Sequence, residues 1–252
     1  MNLNLSPRYV MFGLLGVVVG LLLLHAFIYV GNFHVESLHV GAIEQRFDLD
    51  GEGTAPALFS ALILGLSSVM LLLIGSADRL RRVAWFFLAL VFAFLATDEA
   101  LYIHEGVMKI VRDTLHASGV SYFAWVIPYG VGAMALAALY SRFLWNLPRR
   151  TAGLIVVAGV LTVSGGFGFE MLTSYLVDGG SGGEGLVALL AIPEEGLEMA
   201  GVVLFLYALM DYAATHLAGV RVSIQSRVSQ NALTARRVTE AFANTPVRSR
   251  EG

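Results

Sequence analysis

The sequence predicts an all-α integral membrane protein: six transmembrane helices, both termini cytoplasmic, and a short re-entrant or interfacial segment before the sixth helix. Composition, apolar run lengths and the one-sided placement of arginine carry this prediction. Of 252 residues, 57 % are hydrophobic and 14 % charged, against roughly 45–50 % and 25 % in soluble domains. Mean hydropathy is +0.72. A soluble chain this apolar could not cover its surface with polar groups, and a disordered, fibrous or nucleic-acid-binding chain is excluded on the same ground. With no cysteine, disulfides, thiolate metal sites and cysteine nucleophiles are excluded too.

Crossing about 30 Å of hydrocarbon takes about 20 helical residues, and six stretches meet that length. The first, 9–30, follows the single cation Arg8 and is longer than the roughly 7–15 residues of a signal-peptide core, so it reads as a retained helix. The others are 56–75, 83–103, 122–147, 152–177 and 193–213. Pro193 suits the first turn of a helix, where its missing N–H costs nothing. The apolar segment 185–192 is therefore read as re-entrant or interfacial, with a kinked continuous helix as the alternative. Residues 1–213 form the transmembrane domain, with an outer loop, 31–55, at the interface. Residues 214–252 form a basic, weakly structured cytoplasmic tail.

Lys and Arg set the orientation. With both termini inside, 13 of the 16 basic residues and four of the 19 acidic ones fall on the inner side. The small net charge of −3 is thus a cancellation between about +9 inside and −12 outside. The expected location is the cell inner membrane. The expected partners are membrane lipids, with anionic inner-leaflet lipids for the tail, and no nucleic acid; oligomeric state is not readable.

Carboxylates contribute little to topology, so their collection on one side points to chemistry there. The third span ends in TDEALYIHE, with Asp98, Glu99, His104 and Glu105. Around a continuous helix, Glu99 and His104 diverge to either side of the stripe holding Asp98 and Glu105. The fifth span carries Glu170 after the glycine-rich SGGFGF, and the sixth opens with Glu194, Glu195 and Glu198 on about a 100° arc. His25 lies at a similar depth in the first span and reads as an interhelical hydrogen-bonding group.

So many acids in a low-dielectric site need shared protons or a cation. The expected cofactor is a divalent metal ion, with Mn, Fe, Mg, Ca or Zn all compatible with oxygen ligands and a few imidazoles. Asp98, His104, Glu105, Glu170, Glu195 and Glu198 are the expected ligands. Glu170, Glu194 and Glu99 are the expected acid–base groups. The Glu-x-x-His signature of di-iron bundles is absent. In the loop DLDGEG, Asp48, Asp50 and Glu52 fill positions 1, 3 and 5 of an EF-hand-like loop. Position 12 would be Phe59, so at most a calcium half-site results.

Three functions fit: a metal-dependent membrane enzyme acting on a lipid or periplasmic substrate, a non-enzymatic metal-binding subunit or sensor, and a divalent cation or proton transporter. Inner halves of the spans that are almost purely apolar count against continuous conduction.

Overall fold

The computed structural model describes residues 6–34, 45–104, 106–107, 110, 114, 126–180 and 183–217. The tail, Glu105 and most of the outer loop lie outside these residues. Six helices are long and apolar enough to cross a membrane, and no strand occurs among the described residues. They are α1 (Pro7–His34), α2 (Ala55–Ala77), α3 (Arg82–Leu101), α4 (Val126–Trp145), a fifth span and α7 (Glu184–His216). The fifth span consists of α5 (Arg149–Val163), a π-helical stretch Ser164–Phe169 and α6 (Glu170–Asp178).

Local chemistry sets the helix ends. Thr54 caps α2: its hydroxyl oxygen accepts the N–H of Ala57 at 3.4 Å and donates to the Gly51 carbonyl at 3.0 Å. Pro56 then occupies the first turn, where no donor is needed. Gly53 has a φ of +66°, a conformation glycine adopts without strain. The α2–α3 connection is a tight turn in which Asp78 accepts the Arg81 N–H at 3.3 Å. The two helices then pack face to face. Ser68 donates to the Ala89 carbonyl at 2.8 Å, and Gly75 leaves room for the Phe86 and Trp85 side chains.

Helix α7 is the hub. Of its apolar stretch 56 % is buried, against 6 % for α4, and it packs on α1, α2, α5 and the π-helical stretch. Glycines permit that packing. A methyl group at Gly201 would collide with the Thr162 hydroxyl and the Ala158 carbonyl of α5, and one at Gly196 would press on Leu22 of α1. Two apolar clusters fill the interior. One surrounds Trp85 with Leu71, Ile74, Leu209 and Tyr212; the other joins Val18, Ile63, Met199 and Val203.

Three features depart from the sequence reading. Residues 185–192 are not a separate re-entrant segment, because α7 runs unbroken from Glu184 with Pro193 inside it. Proline removes one backbone hydrogen bond and favours a kink, but apolar helix formers on both sides keep the helix going. At about 1.5 Å per residue α7 is about 50 Å long, more than the hydrocarbon requires. Second, α3 stops at Leu101: Tyr102 takes the left-handed conformation, φ 55°, and its N–H bonds to the Asp98 carbonyl. Third, the fifth span widens into π-helix over SGGFGF, where glycines fit the bulge and the close approach of α7.

A carboxylate cluster around the pi-helical turn

Interactions of Glu99 and Glu170 with Glu195 and Glu198 bring the end of α3, the fifth span beyond its π-helical stretch and the N-terminal half of α7 to one end of the bundle, here the acidic end. The opposite, arginine end holds Arg79, Arg81, Arg82, Arg149 and Arg150.

Asp98 is buried, and its carboxylate oxygen Oδ1 accepts the Tyr129 hydroxyl at 2.9 Å and the His104 backbone N–H at 2.8 Å. His104 Nδ1 stands 3.5 Å from Oδ2. The left-handed turn at Tyr102 makes this possible by folding His104 back onto its own helix end. The divergence expected of a continuous helix is thereby removed, and Asp98 becomes a clasp between α3 and α4.

Glu99 faces the other way. It interacts electrostatically with Asp98 and His104 and, across the interface, with Glu195 and Glu198 of α7. Glu195 also feels Asp50 and Glu170, and Glu198 feels Glu170. Glu170 and Glu194 are joined by a side-chain hydrogen bond. The π-helical stretch sets this spacing. A Cβ at Gly166 would lie 2.9 Å from Glu198 Oε1, and one at Gly165 would lie 2.6 Å from the Glu194 carbonyl. The Glu198 carboxylate thus rests directly on glycine backbone. One turn beyond Glu170, on the same helix face, the Thr173 hydroxyl is buried with no hydrogen-bond partner among the described residues.

The loop before α2 closes over this group from the α1 side. His25 Nδ1 accepts the Leu49 N–H at 3.3 Å, which leaves Nε2 as the protonated nitrogen, 3.4 Å from the Ala188 carbonyl of α7. Asp48 Oδ1 lies 3.8 Å from Nδ1 and accepts the Asp50 N–H at 3.3 Å. Asp50 is exposed to solvent. Even so, the protein mass around it, and then negative charge on Glu170 and Asp48, push its carboxyl up to about 6, with His25 pulling the other way. Glu52 is exposed at the tip. The DLDGEG segment is therefore used as a capping turn that sets Asp50 beside Glu170.

Of the residues singled out in the sequence, Glu99, Glu170, Glu194, Glu195 and Glu198 interact electrostatically with one another, and Asp98 pairs with His104. Among the described residues no three His, Asp or Glu side chains approach closely enough to hold a metal ion as they stand. Thr173, Tyr129 and the membership of Asp50 were missed. The i, i+3 spacing from Glu170 marks Thr173, whereas nothing in the sequence pairs Tyr129 with Asp98.

The fold and this site define a class, a polytopic helical membrane protein with a carboxylate cluster between its spans. The chain belongs to the family described as Domain of unknown function (DUF8692), whose model matches residues 10–212. That match spans all six helices and the whole carboxylate cluster. No curated protein and no solved structure matches the chain.

Proposed function

We propose that the acidic end faces outward from the inner membrane, with both termini cytoplasmic, and binds a divalent cation. We further propose that the protein is a cation-dependent membrane enzyme acting on a lipid-borne or periplasmic substrate. One observation carries this reading: Glu99, Glu170, Glu194, Glu195 and Glu198 converge on a π-helical turn beside a buried, unpartnered Thr173 hydroxyl. A hydrogen bond between two carboxyl groups needs a proton between them, and the other acids add negative charge with no arginine or lysine paired to them among the described residues. A hard divalent cation with oxygen ligands resolves both problems at once. Glu170, Glu195, Glu198 and the Thr173 hydroxyl supply the ligands. Small rotations of these long side chains bring them from mutual avoidance to a common centre.

The cation would polarise a carbonyl or phosphoryl oxygen or lower the pKa of a bound water. Glu194, released from Glu170 when the cation arrives, is the general base, with Glu99 behind it. Asp98 and His104 are already committed to one another and position Glu99. A monomeric transporter fits less well. Between the two polar ends α7 passes through Met199, Val202, Val203, Phe205 and Leu206, all buried and apolar.

Metal analysis of the purified full chain tests the reading. Wild type retains a divalent cation, and Glu170→Gln and Glu198→Gln each weaken retention at least ~10-fold. Retention unchanged by both substitutions removes the site.

A further inference from the structure

At the arginine end a surface cleft of about 530 Å³ opens where the α2–α3 turn, the α4–α5 turn and the end of α7 meet. Arg79, Arg81, Asn146 and His216 supply its polar lining, and Leu80, Leu147 and Leu217 its apolar lining. A second, shallower cleft of about 330 Å³ shares Asn146 with it and adds Arg142 and Trp145. The first volume lies within the ~300–1,000 Å³ range of small-ligand sites.

Charge in the two clefts is unevenly spent. Asp78, the one acid in the lining, is buried and saturated: Trp85 Nε1 donates to it at 3.1 Å and the Tyr212 hydroxyl at 2.8 Å, and Arg81 pairs with it at 3.4 Å. Arg81 donates another N–H to the Asn146 carbonyl at 2.9 Å, which ties the two turns together. Arg150, nearby in sequence, is held by Asp211 at 3.0 Å and by Tyr207. Arg79 and Arg142 make no ion pair among the described residues; Arg79 lines the first cleft beside the neutralised Asp78, and Arg142 lines the second.

The rim is apolar. Leu80 is 94 % exposed and Trp145 90 % exposed at the same end of the bundle. Exposed leucine and tryptophan beside arginine match the interfacial depth of a bilayer, where headgroup phosphates lie. Beside the clefts α4 exposes Val131, Met134 and Leu139, an apolar side on which acyl chains would lie. We propose that these adjoining clefts bind the phosphate headgroup of an anionic membrane lipid, with Arg79 and Arg142 as its charged contacts and Trp145 flanking its chains. This inference needs only the membrane-spanning fold and is independent of the cation site.

The test is native mass spectrometry of the detergent-solubilised full chain titrated with phosphatidylglycerol, with phosphatidylcholine and inorganic phosphate as the comparison probes. Wild type retains one phosphatidylglycerol more tightly than the rest. The double variant Arg79→Gln/Arg142→Gln weakens that lipid by ~10-fold, as expected for two interfacial arginines. Phosphatidylcholine binding does not change. The basic tail is present in both proteins, so its contribution cancels. Neither substitution touches the Asp78 hydrogen bonds, and Arg79→Gln alone gives the same comparison should the double variant fail to fold. Equal phosphatidylglycerol affinity in variant and wild type overturns the proposal. So does displacement of the lipid by inorganic phosphate, which would make the cleft a soluble-phosphate site.

Discussion

The two ends of this bundle surround their carboxylates in opposite ways. At the arginine end Asp78 has a donor for each lone pair in reach: indole, phenol, guanidinium and backbone N–H. Burial alone would raise its carboxyl. The hydrogen bonds from Trp85, Tyr212 and Arg81 outweigh that and hold it below the usual carboxylate range. At the acidic end Glu170, Glu194, Glu195 and Glu198 are half-buried and interact electrostatically with one another, while the Tyr129 hydroxyl and the His104 N–H serve Asp98. A buried acid surrounded by donors is a structural joint. A group of half-buried acids turned toward one another is the arrangement that the proposed cation would complete.

The largest effect that separates the ends is the loss of Asp78. Asp78→Ala leaves the Trp85 indole N–H and the Tyr212 hydroxyl buried without their acceptor and unties Arg81 from the turn. Hydrogen bonds to a charged group contribute about 1.5–3 kcal/mol each. The variant is expected to lose about 3 kcal/mol, read as a lower unfolding midpoint in detergent, with cation retention unchanged in the folded fraction. A midpoint equal to wild type would mean that Asp78 is no joint.

Sequence alone displays the acidic end better than the arginine end, for a physical reason. Glu170 and the Glu194–Glu195–Glu198 arc stand out because ionisable groups inside apolar runs are costly. Asp78 sits in an ordinary-looking charged turn, and the Tyr212 that makes it a joint lies 134 residues away. The six spans follow from run length and composition. The continuity of α7 through Pro193 does not, since a proline is equally at home in a first turn and in a kink. The π-helical turn was legible only as a glycine run. What glycine does there, admitting the Glu198 carboxylate against backbone, depends on a neighbour that the local sequence does not specify.

A smaller effect reads the difference through pH. Asp50 titrates near 6 in the folded protein against 3.8 as its ordinary value. A raised acid contributes stability that is full below the ordinary value and is lost as pH rises through the folded one. Asp78, a lowered acid, behaves oppositely and loses its contribution as pH falls below about 4. Between about pH 4 and 6 the cation-free protein is therefore expected to loosen as Asp50 ionises beside Glu170 and Asp48. Asp50→Asn removes that slope. Because Asp50 is open to solvent, screening limits the gain at neutral pH to ~1.5 kcal/mol. The gap between variant and wild-type unfolding midpoints should open across this window and be absent at pH 4. A gap that is constant with pH would remove Asp50 from the cluster.

The smallest effect is the sharpest test of whether the acidic end awaits a ligand. Thr173→Val keeps the β-branched shape and deletes only a hydroxyl that is buried and unpartnered. Taking away an unsatisfied polar group removes a desolvation cost, so the cation-free variant is expected to be more stable by ~1 kcal/mol. If the hydroxyl is a ligand, divalent cations weaken at the same time, and the stabilisation that cations give wild type shrinks. The two readouts therefore move in opposite directions, which no packing defect produces. A variant destabilised with and without cation would show that the hydroxyl has a structural partner. A variant stabilised yet unchanged in cation affinity would restrict the ligands to the carboxylates.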